Sequence, residues 1–237
     1  MVPAERAGQI LDLKEKTAFG CRILAKLGLA DWLGHVSARV PGEDRMVIKG
    51  LGIDLGDLQK TTADKIITVG LDGRKIEGVH RLPGETPLHA EIYRARPDVG
   101  GIVHTHQRLT IAFGTTGRKI LPLQGIMAWM VEEDLPVFQS SLMVSTVDAA
   151  REVARLIGDH QACHLKNHGV VVVGRTVEEA VISCIDLEDL AKLTMTAESL
   201  GKPDVMSAGE IALKKERLQI HVDASWRYYV SLFEDAG

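Results

Sequence analysis

The feature that most constrains the fold is a short apolar run, residues 100–106, that ends in His104 and His106. Valine and isoleucine between glycines are typical of a buried β-strand. Residues i and i+2 of a strand point to the same face, so the two imidazoles would project side by side from its end. Neighbouring imidazoles pack poorly but make a good pair of metal ligands. The run therefore predicts a buried strand with two metal ligands; alternatively, one histidine caps the strand and the other lies at the surface.

The composition argues against several classes of protein. Of the 237 residues, 45% are hydrophobic and 25% charged, as in an ordinary soluble globular protein. A formal net charge of -4 gives no indication of a nucleic-acid partner, and no stretch approaches the roughly 18 apolar residues that span a membrane. Residues 1–16 lack the apolar core of a signal peptide, and the three cysteines show no CxxC spacing. We therefore expect a cytoplasmic protein with neither a nucleic-acid nor a membrane partner.

Helical and strand patterns alternate along the chain, with no repeat, low-complexity tract or long linker. Thr86 and Pro87 suit the cap and the first residue of one helix, and Thr176 begins a capping box. Asp57 and Leu58 would begin a short helix or loop, and segment 108–138 is interpreted as a mixture of helix, strand and loop. The prediction is one α/β domain over residues 1–237, with helices at 5–28, 86–96, 146–157, 176–200 and 209–229 and strands at 34–40, 45–48, 65–69, 100–106 and 170–173.

Two further residues extend the pair of histidines into a candidate catalytic site. His168 precedes another apolar strand, where a turn would bring it to a sheet edge. Three imidazoles at strand ends are the ligand set of an open divalent-metal site. Glu85 lies on the loop before helix 86–96, where a carboxylate could bind the metal or act as an acid or base. The alternative for Glu85 is a solvated loop charge.

With these residues in view, the sequence resembles the class II aldolase/adducin family. The likeness implies a single-domain three-layer α/β/α sandwich with a mixed, largely antiparallel central sheet. It also implies one divalent metal ion per subunit (zinc, manganese, iron or cobalt), held by His104, His106 and His168, with Glu85 as catalytic acid/base and ligand. A homotetramer with active sites near the subunit interfaces is implied too. The stretches that carry the resemblance are residues 34–39, 85–89, 95–99, 104–106 and 167–169.

Departures from the family pattern narrow the substrate. Phosphate-handling members carry asparagine at the second position of the first motif, Ser-Gly or Thr-Gly near residues 49–50, and paired serines before the glutamate. This chain has His35, Lys49-Gly50 and Pro83-Gly84 at those positions. The hydroxyl and amide groups that would hold a phosphate are largely absent, which argues against a sugar phosphate.

The groups that remain nearby are largely cationic and suit a carboxylate, which arginine can bind through two parallel hydrogen bonds. Arg39 and Arg81 could instead be ordinary salt-bridged or solvated residues, and His35 could hydrogen-bond within its hairpin. Family members can lend a tyrosine from near the C-terminus, although Tyr229 could equally pack a terminal helix. The predicted substrate-binding residues are His35, Ser37, Arg39, Lys49, Gly50, Arg81 and Tyr229.

The resemblance is to the decarboxylase branch, which includes enzymes that act on dihydroxyphthalate-type substrates. A metal held by neighbouring substrate oxygens stabilises the enolate that remains when carbon dioxide departs, and an acid then protonates carbon. We therefore expect a decarboxylase of a carboxylated hydroxy-aromatic or related oxo-acid. Three alternatives stay open: an aldolase or epimerase on a non-phosphorylated hydroxy-keto substrate, a non-haem iron oxygenase, and a metal-free adducin-like interaction module.

Overall fold

The computed structural model describes residues 3–51 and 58–234. Its helices are α1 (Pro3–Lys26), α2 (Thr86–Ala95), α3 (Arg108–Thr116), α4 (Val147–Ile157), α5 (Val177–Leu200), α6 (Ala208–Lys215) and α7 (Leu218–Glu234). Its strands are β1 (His35–Arg39), β2 (Arg45–Lys49), β3 (Ile66–Gly70), β4 (Lys75–Glu77), β5 (Gly101–Thr105), β6 (Val137–Phe138), β7 (Ala162–Leu165) and β8 (Gly169–Gly174). Short 3₁₀ helices cover Leu58–Lys60, Ala63–Lys65 and Met127–Val131.

The strands form one sheet in the order β4-β3-β2-β1-β5-β8-β7-β6. All neighbours are antiparallel except β6 and β7, which confirms the mixed, largely antiparallel sheet. The strand that ends in the histidine pair, β5, lies between β1 and β8. Its register places His104 opposite His35 on one side and opposite Val171 on the other. The end of β5 thus lies between His35, on β1, and His168, which directly precedes β8.

Helices cover both faces of the sheet, because successive strand residues point to opposite faces. On one face Val103 and Val172 pack with apolar residues of α1, α5 and α7. On the other, Ile102 and Val171 pack with apolar residues of α2 and α4. This arrangement confirms the predicted three-layer α/β/α sandwich. No helix in the described part of the chain is long and apolar enough to cross a membrane.

Three local predictions differ from the structure. The predicted last helix, 209–229, is two helices, because the Arg217 amide donates to Lys214 three residues back and tightens the turn between α6 and α7. Thr86 does not cap α2; the N-cap is Glu85, and the Thr86 hydroxyl donates to the Pro83 carbonyl. Strand β4 was not expected from the sequence. Asp57 lies outside the described residues, whereas Leu58 begins a 3₁₀ helix.

Candidate metal centre

Four predicted ligands converge at one edge of the sheet. Glu85, His104, His106 and His168 each offer a ligand atom, and these atoms all lie within 4.8 Å of one another. They come from the start of α2, the end of β5 and the turn between β7 and β8, which are far apart in the sequence. The structure therefore brings together the four side chains that the sequence analysis singles out, and their role as metal ligands stays a prediction.

The environment of His104 selects one nitrogen for a ligand. The residue is fully buried, and its Nδ1 lies 3.0 Å from the carbonyl oxygen of Val170 on β8. A carbonyl only accepts, so Nδ1 carries the proton that it donates. The other nitrogen, Nε2, faces Glu85 and has no hydrogen-bond partner in the described residues. Such a fixed tautomer, with the remaining lone pair directed into a site, is the usual arrangement of a metal-binding histidine.

The Glu85 carboxylate is held among the histidines although only 3% of the residue is exposed. Its Oε1 accepts the amide proton of Val144 at 3.0 Å, and its Oε2 lies 3.1 Å from Nε2 of His104. Burial opposes ionisation, but contact with His104 and the nearby His35 and His168 outweighs it, so the pKa of Glu85 lies well below its usual range. An anion this close to a nitrogen lone pair requires a positive charge between them, supplied by a proton on Nε2 or by a metal ion.

The other two imidazoles are kept neutral. Burial, reinforced by His104 and His168, lowers the pKa of His106 to about 4, and burial also lowers the pKa of His168. Near neutral pH both rings therefore keep a lone pair for a cation. His106 Nε2 and His168 Nδ1 are buried without a hydrogen-bond partner in the described part of the chain. Three imidazoles and one carboxylate fit a divalent ion such as zinc, manganese, iron or cobalt.

The backbone around His168 is shaped by the site. Asn167 has a φ of 57°, in the left-handed region that asparagine tolerates better than most residues. At Gly169 a Cβ atom would overlap the Thr105 carbonyl oxygen and lie 3.0 Å from His106 Cδ2. Only glycine lets β8 approach β5 this closely. The Asn167-His168-Gly169 motif is thus explained by geometry at the site.

Polar residues that the sequence did not single out hold the chain after His106. Gln107 Nε2 donates to the Thr110 hydroxyl and the Cys184 carbonyl. Glu188 on α5 accepts the amide protons of Leu109 and Thr110 at 2.9 Å, which caps the start of α3. The contacts with Cys184 and Glu188 join residues more than seventy positions apart in the sequence, so no local pattern indicates them.

Two of the predicted substrate-binding residues lie on β1 beside the cluster. The His35 ring stacks 5.8 Å from the ring of His104, and its Nδ1 is buried without a partner among the described residues. Ser37 is fully buried and hydrogen-bonds to Nδ1 of His89 at 2.7 Å and to the hydroxyl of Tyr93 at 2.9 Å. Ser37 therefore ties β1 to α2, in place of the substrate contact that was predicted.

Lys49 and Gly50 lie at the end of β2. Lys49 is 1% exposed, and burial lowers the pKa of its ammonium. Its Nζ donates to the Trp32 carbonyl at 3.4 Å, and no carboxylate lies within ion-pair distance in the described residues. At Gly50 a Cβ atom would lie 2.6 Å from Cβ of His80, so this glycine is required for packing.

The other predicted substrate residues are not brought to the cluster. The guanidinium of Arg39 donates to the carbonyls of Tyr93, Arg96 and Val99 and lies over the Tyr93 ring. These contacts give Arg39 a structural role at the opposite end of β1, and its predicted substrate role is wrong. Tyr229 stacks on Phe233 within α7. Arg81 pairs through its backbone with Leu51, and its side chain is exposed; its substrate role stays a prediction.

Comparison with known proteins finds relatives of one family and solved structures with the same fold. A family model described as "Class II Aldolase and Adducin N-terminal domain" matches residues 15–195. The chain is 33% identical to a 3,4-dihydroxyphthalate decarboxylase of Arthrobacter keyseri over 79% of each chain. It is 30% identical to a 3,4-dihydroxyphthalate decarboxylase of Terrabacter sp. (strain DBF63), over 92% of this chain and 95% of that protein. The solved L-fuculose 1-phosphate aldolase from Glaciozyma antarctica PI12 shares the fold, with a TM-score of 0.82 at 20% identity, over 99% of this chain and 95% of that one.

Proposed function

The chain belongs to the class II aldolase and adducin family, and from that premise we propose that it is a divalent-metal-dependent decarboxylase of a carboxylated hydroxy-aromatic or related oxo-acid. The observation that carries the proposal is the buried Glu85 carboxylate among three histidines. Its supporting context is the pair of relatives named for 3,4-dihydroxyphthalate decarboxylation. The proposed partner is a small-molecule carboxylate, and the proposed assembly is a homotetramer with sites near the subunit interfaces.

His104, His106 and His168 would hold one divalent ion, with Glu85 as a further ligand. When bound, the ion supplies a Lewis acid that stabilises the electron pair left on the substrate as carbon dioxide departs. The Val170 carbonyl keeps His104 in the tautomer that such binding needs. The Val144 amide fixes one oxygen of Glu85 and leaves the other directed at the cluster.

Glu85 is the proton carrier of the proposed reaction. Glu85 is an anion in the resting site, and we place its free oxygen beside a substrate hydroxyl, whose proton it accepts. The carbon–carbon bond to the leaving carboxylate then breaks, and its electron pair stays on the substrate carbon. Glu85 delivers the same proton to that carbon. The products are carbon dioxide and a phenolate, which takes a proton from water.

The surroundings of the cluster support an anionic substrate. Lys49 is a buried ammonium without a carboxylate partner in the described residues. Burial lowers the pKa of the neighbouring His35, and His104, His89 and the Lys49 charge lower it further. The residue before Glu85 is Gly84, which has no hydroxyl to hold a phosphate. A carboxylate near the cluster would balance the lysine charge at a site where a phosphate has few partners.

A substrate screen tests this function. Metal-reconstituted protein is incubated with 3,4-dihydroxyphthalate, other hydroxylated aromatic carboxylates and a panel of hydroxy-keto acids, while carbon dioxide, aldehydes and oxygen are followed. We expect carbon dioxide from at least one aromatic carboxylate without oxygen consumption. Aldehyde release from a hydroxy-keto acid without any carbon dioxide would instead identify an aldolase. Oxygen uptake coupled to product would identify an oxygenase.

A further inference from the structure

A cavity of about 370 Å³ lies between the end of α1, the loop that follows it and the start of α3. His106 forms part of its wall, so the cavity reaches one imidazole of the candidate metal centre. Trp32, Asp31 and Arg108 also line it. Its size falls in the range of roughly 300–1,000 Å³ that is common for small-molecule sites.

Trp32 presents an exposed indole on a fixed backbone. Its residue exposure is 53%, yet its amide proton is donated to Asp31 Oδ1 at 2.7 Å and its carbonyl accepts from Lys49 at 3.4 Å. The next amide, that of Leu33, also donates to Asp31 Oδ1. A large aromatic side chain left in solvent beside a candidate centre, on a backbone that is held at both ends, forms a preorganised wall for another ring.

Arg108 supplies an available positive charge. It is exposed at the first position of α3, and in the described part of the chain its side chain has neither an ion pair nor a hydrogen bond. The helix dipole disfavours a cation at the N-terminus of α3, so an anionic ligand beside Arg108 would relieve an unfavourable charge. The Leu109 and Thr110 amides there already donate to Glu188, which leaves the Arg108 side chain as the group that binds such a ligand. Asp31 places one carboxylate in the same cavity, but its Oδ1 already accepts two amide protons. A guanidinium can bind a carboxylate through two parallel hydrogen bonds.

We propose that this cavity selects aromatic dicarboxylates: Trp32 contacts the ring, and Arg108 binds the carboxylate that the reaction retains. The leaving carboxylate and its neighbouring hydroxyl then lie towards His106 and Glu85. This inference rests on the proposed decarboxylase function, but it also makes a claim about binding alone. Nothing in the sequence pattern assigned either Trp32 or Arg108 to the site.

The test compares two substrates that differ only in the retained carboxylate. Wild type, Arg108→Gln and Trp32→Leu are assayed with 3,4-dihydroxyphthalate and with 2,3-dihydroxybenzoate. We expect Arg108→Gln to raise KM for the dicarboxylate at least tenfold and to change KM for the monocarboxylate less than twofold. Trp32→Leu should raise KM for both. Arg118→Gln is the matched control, since this exposed arginine just beyond the other end of α3 pairs with Glu198, and it should change neither KM.

A binding measurement separates failure of this inference from failure of the proposed function. Zinc-loaded wild type and Arg108→Gln are titrated with phthalate, which has both carboxylates but no hydroxyl. If wild type releases no carbon dioxide but Arg108→Gln binds phthalate at least tenfold more weakly, the cavity assignment stands and the reaction does not. If turnover is observed and the two KM values respond equally to Arg108→Gln, the cavity assignment is overturned. Phthalate that binds both proteins equally, or binds neither, would overturn it as well.

Discussion

At the scale of single residues, the candidate centre depends on which nitrogen of an imidazole is already engaged. His104 gives its Nδ1 proton to the Val170 carbonyl, which leaves Nε2 beside the ionised Glu85. That contact is favourable only with a proton or a metal ion between the two groups. Burial keeps His106 neutral near pH 7, so its ring offers a lone pair without first losing a proton. Together these features favour a bound metal ion over a solvated polar cluster.

Loss of one imidazole should therefore remove the metal. We expect His106→Ala to lower bound zinc or manganese at least tenfold, because the remaining ligands leave one position open to water. Metal content after dialysis, measured by elemental analysis, checks this. His221→Ala is the control, since His221 pairs with Asp186 far from the cluster, and it should keep full metal content. Equal metal in both variants would remove His106 from the ligand set.

The structure brings together the residues that were predicted as ligands but holds several predicted substrate contacts elsewhere, for one physical reason. His104 lies on β5 and His106 lies just past its end, where the strand period predicts a common face, and His168 lies on the turn at the same edge. Arg39 points to the same face as His35 by the same strand period, but it lies four residues after His35 on β1. There its guanidinium donates to backbone carbonyls of α2 and of the turn after α2. A sequence shows that a residue is positively charged, but it does not show which backbone carbonyls accept its hydrogen bonds in the fold.

At the scale of elements, β1 and α2 place the carboxylate. Ser37 binds His89 and Tyr93, which are one turn apart on α2. Glu85, the N-cap of α2, lies one turn before His89. The hydroxyl of Ser37 therefore helps to fix the position of α2 on the sheet, and with it the position of the Glu85 carboxylate relative to His104.

The approach of β8 to β5 gives a prediction for Gly169. A Cβ atom there would overlap the Thr105 carbonyl and press on His106, so Gly169→Ala should lower the free energy of unfolding by about 1–3 kcal/mol. The shifted strands should also weaken metal binding at least tenfold. Gly209→Ala is the matched control, because nothing lies within 4 Å of the new atom and alanine is favoured in a helix. Unchanged metal affinity in Gly169→Ala would contradict this close packing.

The histidine on β7 gives a pH-dependent prediction away from the cluster. Burial lowers the pKa of His164 to about 4, against about 6.5 in an unfolded chain. Between these values the unfolded chain binds a proton that the folded protein does not, so stability falls as pH decreases from about 6.5 to about 4. Between pH 7 and pH 5 the free energy of unfolding should therefore fall by about 1–2 kcal/mol less in His164→Phe than in wild type.

Urea unfolding of chelator-treated protein at the two pH values measures this difference. His160→Phe is the control, because His160 is only half-buried just before the same strand, and it should lose stability as wild type does. An equal loss in His164→Phe and wild type would show that His164 takes up its proton in the folded protein.

Elements were predicted from sequence where their pattern was local. The apolar run of β8 and the Thr176 hydroxyl that accepts the Glu179 amide proton at the start of α5 are of this kind. The break between α6 and α7 was missed because Lys214, Lys215, Glu216 and Arg217 are all good helix formers. Only the tightened turn at Arg217, set by packing of α7 on α5, ends the helix there.

At the scale of the whole molecule, the candidate metal ties both layers to the sheet. Glu85 begins a helix of one layer, and the residues after His106 are capped by Glu188 from the other. A ligand that binds only the folded protein stabilises it by RT ln(1 + [L]/Kd), about 2.7 kcal/mol at a hundredfold excess over Kd. For a chain of this size that corresponds to a shift in Tm of roughly 5–10 °C.

Metal removal should therefore lower Tm by that amount, and added zinc or manganese should restore it. Calorimetry with and without chelator measures the shift. His168→Ala lacks the ligand on the β7–β8 turn, so its Tm should be the same with and without chelator and close to that of chelator-treated wild type. A wild-type Tm that is the same with and without chelator would contradict a metal shared between these elements.

Glu85 links the candidate metal to the proposed reaction, and a paired assay of wild type and Glu85→Gln measures both the metal and the reaction. Carbon dioxide release from 3,4-dihydroxyphthalate is measured for wild type and Glu85→Gln, with bound metal quantified in the same samples. We expect turnover by wild type, and for Glu85→Gln at least half of the wild-type metal content with a rate lowered at least a hundredfold. Full activity of metal-loaded Glu85→Gln, or no carbon dioxide from metal-loaded wild type, would contradict it.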